Sequence, residues 1–236
     1  MPDFPIPGPN HVSWVRCRPE ESDDVIRQAL QVASDRGLPV TWVLDPDTQP
    51  SDFGERLRGH GYVPEPGGEK SMVMVLPFAG GDLEMPPVEG LAVHDALADF
   101  ETFTASEQVA EEGFAGLPFG QDSPIADTRA RRYANNRAAG NRRVVLATID
   151  GEPAGSGSMT LLGPEAAIIN GGAVRPRFRG RGVYRALVGA RLRIAREDGA
   201  AGLMVWGGHM SAPILARMGF KTVSWRAFYV KASSGT

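Results

Sequence analysis

The sequence is poor in the residues that form disulfides and metal sites. It contains one cysteine, Cys17, and four histidines in 236 residues. A lone cysteine cannot form an intramolecular disulfide, which excludes a secreted disulfide-rich scaffold, and we interpret Cys17 as an inert thiol. The cysteine and the histidines show no spacing typical of metal ligands, so no metal is expected.

Long apolar runs and a strong excess of one charge are also absent. No stretch approaches the roughly 18 apolar residues that a membrane-spanning helix needs. The proline-rich start MPDFPIPGPNHV lacks the basic and apolar regions of a signal peptide. The formal net charge is −3, which indicates no general affinity for nucleic acid or anionic membranes. We therefore expect a cytoplasmic globular protein that binds neither.

Glycine and proline, by contrast, are abundant, with 29 and 19 residues, and they indicate many turns. The densest such stretch is PFAGGDLEMPPVEG at 77–90. We predict a linker at 81–87 between an N-terminal half-domain at 1–80 and a larger domain at 88–236. A chain of this length can bury a hydrophobic core without disulfides or metal.

Hydrophobic periodicity predicts alternating helices and strands in both parts. In the N-terminal part these are a strand at 11–16, a helix at 23–35 capped by Ser22, a strand at 40–44, a helix at 52–58, and strands from Gly61 and at 72–76. In the C-terminal part they are a strand at 91–94, helices at 96–111 and 125–138, strands at 144–149, 154–162 and 166–174, a helix at 182–197, a strand at 203–206, a helix at 212–218 and a strand at 223–230. The mixture is typical of an α/β (α+β) fold.

The two ends of the sequence resemble each other. DRGLPVTWVL at 35–44 parallels EDGAAGLMVW at 197–206, and SMVMVL at 71–76 parallels WRAFYV at 225–230, in the same order of elements. We interpret this as an internal repeat, in which the N-terminal part repeats the second half of the C-terminal fold. Any helix-strand-helix pattern would give a similar match, so this alternative stays open.

The segment with the clearest chemistry is NGGAVRPRFRGRGVYRAL at 170–187. Pro176 cannot donate to a sheet ladder, so the strand ends or bulges there. Gly180 and Gly182 permit positive φ angles and a close backbone approach. A helix begins near Gly182, and the unpaired amides at a helix N-terminus form an anion site. The pattern therefore predicts an anion-binding loop between a strand and a helix.

Arginines surround this loop. Seven of them lie between 175 and 193, while no Asp or Glu occurs from 166 to 196. Such a cationic strip favours a polyanion with a pyrophosphate group. A dinucleotide-binding G-x-G-x-x-G is incomplete, because Arg185 stands where the third glycine belongs, and no G-x-x-x-x-G-K-[ST] phosphate loop is present.

The stretch from Val174 to Leu187 resembles the coenzyme-binding motif of the GNAT acetyltransferases, V-x-P-x-x-[RQ]-G-x-G followed by a leucine. ILARMGF at 214–220 resembles the family's closing L-Y-x-x-x-G-F, and the likeness covers about the last 150 residues. The resemblance implies a mixed, mostly antiparallel central sheet flanked by helices, with the N-terminal part as a degenerate half-repeat of the same fold. It also implies acetyl-CoA as cosubstrate.

The resemblance further implies the binding residues and the reaction. Two neighbouring strands, ending near Val174 and Trp206, would separate to admit acetyl-CoA. The backbone at the end of the first strand would pair with the pantetheine arm, and the loop amides would hold the pyrophosphate. A deprotonated amine would attack the thioester directly. The residues implied in coenzyme binding are Ala173, Val174, Arg175, Arg177, Arg179, Gly180, Arg181, Gly182, Val183 and Tyr184.

The sequence departs from the family pattern at the residues that move protons. Leu215 replaces a tyrosine that often serves as acid, and Asn170 lies on the strand where many relatives carry a glutamate. Weaker candidates for proton transfer are His209, after the penultimate strand, and Glu165, before the strand of Asn170. Two interpretations therefore stay open: an N-acetyltransferase that acts on an amine, and a non-catalytic acyl-CoA binding module.

The sequence does not name the acceptor. Glu111-Glu112, at the predicted end of a helix, is a candidate site for a cationic amine, and a solvated helix end is the alternative. An acyl group larger than acetyl and a homodimer are also compatible with the sequence.

Overall fold

The computed structural model describes residues 10–65, 70–80, 85–114 and 128–232. In chain order these ranges form β1 (His11–Val12), α1 (Ser22–Ser34), β2 (Thr41–Leu44), α2 (Phe53–Gly59), β3 (Tyr62–Pro64), β4 (Ser71–Pro77), β5 (Leu91–Asp95), α3 (Phe100–Gly113), α4 (Arg129–Ala138), β6 (Arg142–Ile149), β7 (Glu152–Leu161), β8 (Ala167–Val174), α5 (Val183–Glu197), β9 (Gly202–Gly207), α6 (Ala212–Arg217) and β10 (Lys221–Lys231). Short 3₁₀ helices lie at Pro19–Glu21, Phe78–Gly80 and Pro176–Phe178.

The predicted elements are present, but several of their ends differ. α3 begins at Phe100 rather than at 96, because the carboxylate of Asp99 accepts a hydrogen bond from the Thr102 amide at 2.7 Å and caps the helix. Ser22, predicted as a cap, is instead the first residue of α1 and is fully buried. Residues 125–127 of the helix predicted at 125–138, and residues 81–84 of the predicted linker, lie outside the described residues.

The chain divides into two compact units. Unit 1 is formed by the described residues up to Met74, together with 206–217 and those from Lys221 onward. Unit 2 is formed by the described residues of 75–205 and by 218–220. Unit 1 therefore combines segments from both ends of the chain. The half-domain boundaries and the internal repeat stay predictions.

Unit 1 is built around an aromatic core. β1 runs parallel to β2, and β10 runs antiparallel to both β2 and β3. Trp42 on β2 contacts Phe53 and Tyr62, with ring centroids 5.5 and 6.4 Å apart. Ile26 of α1 and Leu57 of α2 are fully buried in the same cluster. Burial of these rings and aliphatic side chains holds both helices on the sheet.

Unit 2 contains a sheet in the strand order β9-β8-β7-β6-β5. Neighbouring strands are antiparallel except β8 and β9, which are parallel. Since successive side chains of a strand point to opposite faces, Val145 packs with Leu187 of α5, whereas Val144 packs with Phe103 of α3. This mixed, mostly antiparallel sheet between helices confirms the predicted fold class. No helix in the described part of the chain combines the length and apolar character that a membrane span requires.

Candidate functional site

The parallel strands β8 and β9 separate toward their carboxyl ends. Their ladder begins at the pair Ala167 and Leu203 and ends at the pair Ile169 and Val205. β8 continues to Val174, five residues beyond its last partner. Strands that separate at their carboxyl ends leave backbone groups available to a ligand. The edge of β8 from 170 to 174 is therefore a candidate binding edge.

A β-bulge lies in this part of β8. The register of β7 and β8 shifts around Gly157, where two residues of β8, Gly171 and Gly172, face one residue of β7. Gly171 has a φ of +54°, a left-handed conformation that glycine adopts without strain. A bulge bends its strand and increases the local twist, which accounts for the separation of β8 from β9.

Beyond the bulge, the backbone of Val174 points away from β7. The Arg175 amide donates to the carbonyl of Ala154 on β7 at 3.0 Å. Because the backbone groups of successive strand residues point to alternate edges, the Val174 amide faces the opposite edge. By the same alternation Ala173 directs its backbone groups toward β7. Of the two residues predicted to pair with the pantetheine arm, Val174 is the one that faces the candidate binding edge.

The loop after β8 enters α5 through two left-handed glycines. Gly180 and Gly182 have φ angles of +77° and +85°, and Gly182 immediately precedes the helix. Between them and β8, the ring of Phe178 is buried in the cluster beneath α5. The Ala186 amide donates the first hydrogen bond of the helix, to the Gly182 carbonyl at 3.0 Å. The preceding turn of amides has no acceptor within the helix and, with the positive end of the helix dipole, forms an anion site.

Three of the predicted binding arginines hold this loop in place. Arg175 donates to Glu112 at 2.8 Å, and Arg179 donates to the carbonyl of Gly113 at 2.9 Å, so both bind the C-terminal end of α3. Cations at this end also match the negative pole of the helix dipole. Arg177 forms an ion pair with the glutamate that begins β7. These side chains therefore fix the shape of the loop as well as its charge.

Arg181 and Arg185 keep their charge at the surface. Both side chains are exposed, and neither forms an ion pair with the described residues. The Arg181 guanidinium lies over the ring of Phe178, 5.6 Å from its centroid. Their charge beside the amides at the start of α5 strengthens the attraction for a ligand with several negative charges.

Residues 108–220 match the family model described as the acetyltransferase (GNAT) family. This segment is a GNAT acetyltransferase domain. The match includes the C-terminal end of α3, the bulged strand β8, the glycine loop and α5, and so it contains the whole candidate binding edge. Among curated proteins, no match to the sequence is found.

Solved structures share the fold of this chain along nearly its whole length. A GCN5-related N-acetyltransferase from Kribbella flavida is 15% identical with a TM-score of 0.65, and 95% of this chain and 79% of that one are covered. A functionally unknown conserved protein from Staphylococcus epidermidis ATCC 12228 is 13% identical with a TM-score of 0.72, and the shares are 93% and 83%. A tandem GNAT protein from the clavulanic acid biosynthesis pathway is 18% identical with a TM-score of 0.61, and the shares are 93% and 73%. Identities this low show the fold alone, and the function has to be argued from the residues of the site.

The residues predicted for proton transfer in the GNAT domain lie on separate elements of the chain. Glu165 is exposed in the turn before β8. It precedes Asn170 by five residues, which is about 16 Å at the rise of a strand. His209 is exposed in the loop after β9 and belongs to unit 1, whereas Glu165 belongs to unit 2. Leu215 is fully buried in α6. The described residues contain no group of three or more His, Cys, Asp or Glu side chains that could hold a metal.

Sequence reasoning named Glu111 but missed Glu107, and the two form a pair of mostly buried carboxylates on α3. Glu107 and Glu111, one helical turn apart, form ion pairs with Arg132 and Arg129 of α4, the second at 2.5 Å. Glu111, predicted to bind a cationic acceptor, thus has an internal partner. Burial raises the pKa of Glu107, and the charge of Glu111 adds to the rise, while both arginines oppose it. A carboxyl group with a raised pKa is a candidate proton acceptor, and the i, i+4 spacing of the two acids was the available signal.

Proposed function

We propose that this chain is an acetyl-CoA-dependent N-acetyltransferase that moves an acetyl group to an amine. The observation that supports this most is the succession of binding edge, glycine turn and helix start in a GNAT domain. The Val174 amide faces the edge, and the α5 amides follow directly after Gly182. A pantetheine arm needs hydrogen-bond partners along a strand, and a diphosphate needs amides and cations. Both occur here within about ten residues.

Each part of acetyl-CoA has a proposed partner in this segment. An amide carbonyl of the pantetheine arm accepts a hydrogen bond from Val174. The pyrophosphate binds the amides of 180–184, at the positive end of the α5 dipole, whereas the Arg179 amide donates to the Pro176 carbonyl. The exposed guanidinium groups of Arg181 and Arg185 add long-range attraction. Because these two charges are exposed to solvent, salt weakens this part of the binding.

The proposed reaction depends on positioning and needs no covalent enzyme intermediate. The neutral amine nitrogen attacks the thioester carbonyl carbon, and the carbonyl electron pair moves to oxygen. When the carbonyl re-forms, the carbon–sulfur bond breaks and coenzyme A leaves as a thiolate. The proton that the amine loses passes to a base. His209 and Glu165 remain the candidates from the sequence, and Glu107 is the candidate that the structure adds.

A non-catalytic acyl-CoA binding module is the second candidate function. Leu215 occupies the position at which many relatives carry a tyrosine acid, and its side chain is fully buried. Asn170 replaces a frequent glutamate, and an amide cannot act as a base. These two substitutions remove groups that transfer protons and leave the coenzyme loop intact, which favours binding without turnover.

Calorimetry with acetyl-CoA tests the binding step that both candidates share. We expect one molecule to bind per chain with micromolar affinity. No association at millimolar acetyl-CoA would refute both candidates. A colorimetric assay of released thiol against a panel of amines then separates them. An enzyme releases coenzyme A with at least one amine about tenfold faster than the thioester hydrolyses alone, whereas a binding module never does.

A further inference from the structure

Arg191 is a buried cation on the face of α5 that packs against the sheet. The residue is only 1% exposed. Its Nε donates to the carbonyl of Leu187 at 3.0 Å, and its Nη1 donates to the carbonyls of Ser158 and Asn170 at 3.1 and 3.0 Å. Its Nη2 finds no hydrogen-bond acceptor in the described part of the chain. The guanidinium is therefore firmly held while one of its amino groups stays unpaired.

Two glycines on neighbouring strands provide the space for this guanidinium. A Cβ at Gly157 would lie 2.8 Å from Cζ of Arg191. A Cβ at Gly172 would lie 3.3 Å from Nη2 of Arg191 and 2.9 Å from Cε2 of Tyr184. Real Cβ atoms essentially never come within 3.0 Å of another heavy atom, so a larger residue at Gly157 would displace the guanidinium and one at Gly172 would displace the Tyr184 ring. We name this space, lined by Gly157 and Gly172, the glycine notch.

The charge in the glycine notch has no carboxylate partner among the described residues. Burial lowers the pKa of Arg191 to about 10, and Tyr184 partly opposes this, so the guanidinium is still charged at neutral pH. Apolar residues that replace buried charges are often neutral or stabilising, because charges lose hydration when they are buried. Packing alone therefore does not account for an arginine at this position, which indicates a functional role for its charge.

The guanidinium lies directly behind the candidate binding edge. The carbonyls of Ser158 and Asn170, which it binds, belong to the last strand pair before the bulge, and Gly172 belongs to the bulge itself. Because the guanidinium lies between β7 and β8, a ligand along the other edge of β8 is about one and a half strand spacings away, or about 7 Å. Because the guanidinium itself is buried, solvent screens its charge less than it screens a surface charge over this distance.

We propose that Arg191 is a positioning residue that keeps a positive charge beside the thioester and stabilises the coenzyme A thiolate as it leaves. This inference rests on the proposed function. As the carbon–sulfur bond breaks, the electron pair stays on sulfur, and the new negative charge meets the field of the guanidinium. The thiolate then takes a proton from water.

The pKa of the coenzyme A thiol in its complex with the protein tests this inference without knowledge of the acceptor. The absorbance of the thiolate is followed against pH, with the desulfo-coenzyme A complex as blank. A free thiol has a pKa of about 8.5, and we expect the bound thiol to titrate about one pH unit lower or more. In Arg191→Met, which keeps bulk and removes charge, the thiol should titrate at or above the free value. In Arg191→Lys, which keeps the charge, it should stay lowered.

Calorimetry with coenzyme A on the same samples distinguishes failure of the proposed function from failure of the role of Arg191. If the wild-type protein binds no coenzyme A, the proposed function is wrong and this inference with it. If coenzyme A binds and its thiol titrates as the free thiol, or if Arg191→Met lowers the thiol pKa as the wild type does, only the role of Arg191 is wrong. Gly157→Ala provides a variant that keeps the arginine, because the new Cβ displaces its guanidinium. We expect this variant to lower the thiol pKa less than the wild type does. A thiol pKa equal to that in the wild-type complex would contradict the inference, even if Arg191→Met did not fold.

Discussion

Two helices of this chain begin in opposite ways. α1 has two aspartates in its first turn, and just before it the Glu21 carboxylate accepts a hydrogen bond from the Arg18 amide at 2.9 Å. α5 has no acid in its first turn, and its start combines the left-handed Gly182 with the exposed Arg185. The N-terminus of a helix attracts negative charge. In α1 the carboxylates of the chain itself supply that charge, whereas at α5 a bound ligand can supply it.

The difference indicates how one type of element serves either the fold or binding. α1 rests on the aromatic core of unit 1, where Ile26 and Trp42 are fully buried. α5 rests on strands opened by glycines, and it carries a buried charge at Arg191. If the N-terminal part is a half-repeat, as we propose, the acids at the start of α1 mark it as the copy that binds no coenzyme.

The largest expected effect tests whether the core of unit 1 serves folding and the region around α5 serves binding. Trp42→Ala removes the central ring of the unit 1 core, which contacts Phe53 and Tyr62. We expect the free energy of unfolding, measured by urea titration, to fall by about 3–5 kcal/mol. The acetyl-CoA dissociation constant, measured at a temperature at which the variant is folded, should stay within about twofold of the wild type. Loss of binding in the folded variant would contradict the division between a folding region and a binding region.

A smaller effect follows when α5 is given the start of α1. Arg185→Asp places an acid at the third residue of the helix, the position that Asp24 holds in α1. We expect the acetyl-CoA dissociation constant to rise about 10- to 100-fold, because the acid repels the pyrophosphate. Thermal stability should not fall, since an acid near a helix N-terminus is favourable.

The matched control for this change is Arg193→Asp. Arg193 is exposed on the same helix, and it lies about 12 Å further along the axis. The control alters the net charge equally, and we expect it to raise the dissociation constant by less than about threefold, because salt screens exposed charges at this distance. Equal weakening in both variants would show that net charge, and not the start of α5, governs binding.

The smallest expected effect is a response of α1 to acid. A hydrogen bond from Arg18 lowers the pKa of Glu21, and a hydrogen bond with His60 lowers the pKa of Asp23. Carboxyl groups with lowered pKa values stabilise the fold above their ordinary pKa of about 4, and this contribution is lost as the pH falls through the lowered values. Hydrogen exchange should therefore show that the α1 amides lose protection in acid before those of α5, and that Glu21→Gln reduces this response. Parallel loss in both helices would argue against the comparison.

Local features of the binding region were predictable from the sequence. The helix predicted at 182–197 is observed at Val183–Glu197, and the strand predicted at 166–174 is observed at Ala167–Val174. Both predictions depend on periodicity, a proline stop and glycines, which act within a few residues. The left-handed glycines of the loop followed from the same local chemistry.

The use of each arginine was not predictable in the same way. Arg191 looked like part of the cationic strip, although its place four residues after Leu187 on the apolar stripe was a signal of burial. Its surroundings depend on the glycine notch, whose two residues lie on different strands. Arg175 likewise binds a glutamate 63 residues earlier in the chain. Such contacts arise from tertiary packing, which a local pattern does not contain.

The glycine notch also ties together three positions that are far apart in sequence. A homologue that keeps an arginine at 191 has to keep glycine at 157 and 172. A Cβ at 157 would collide with the guanidinium, and one at 172 would collide with the Tyr184 ring beside it. A homologue with an aliphatic residue at 191 is released from that constraint at 157. Homologues sorted by these positions should thus fall into two subfamilies, and transplanting the buried charge into another acetyltransferase requires all three residues to be grafted at once.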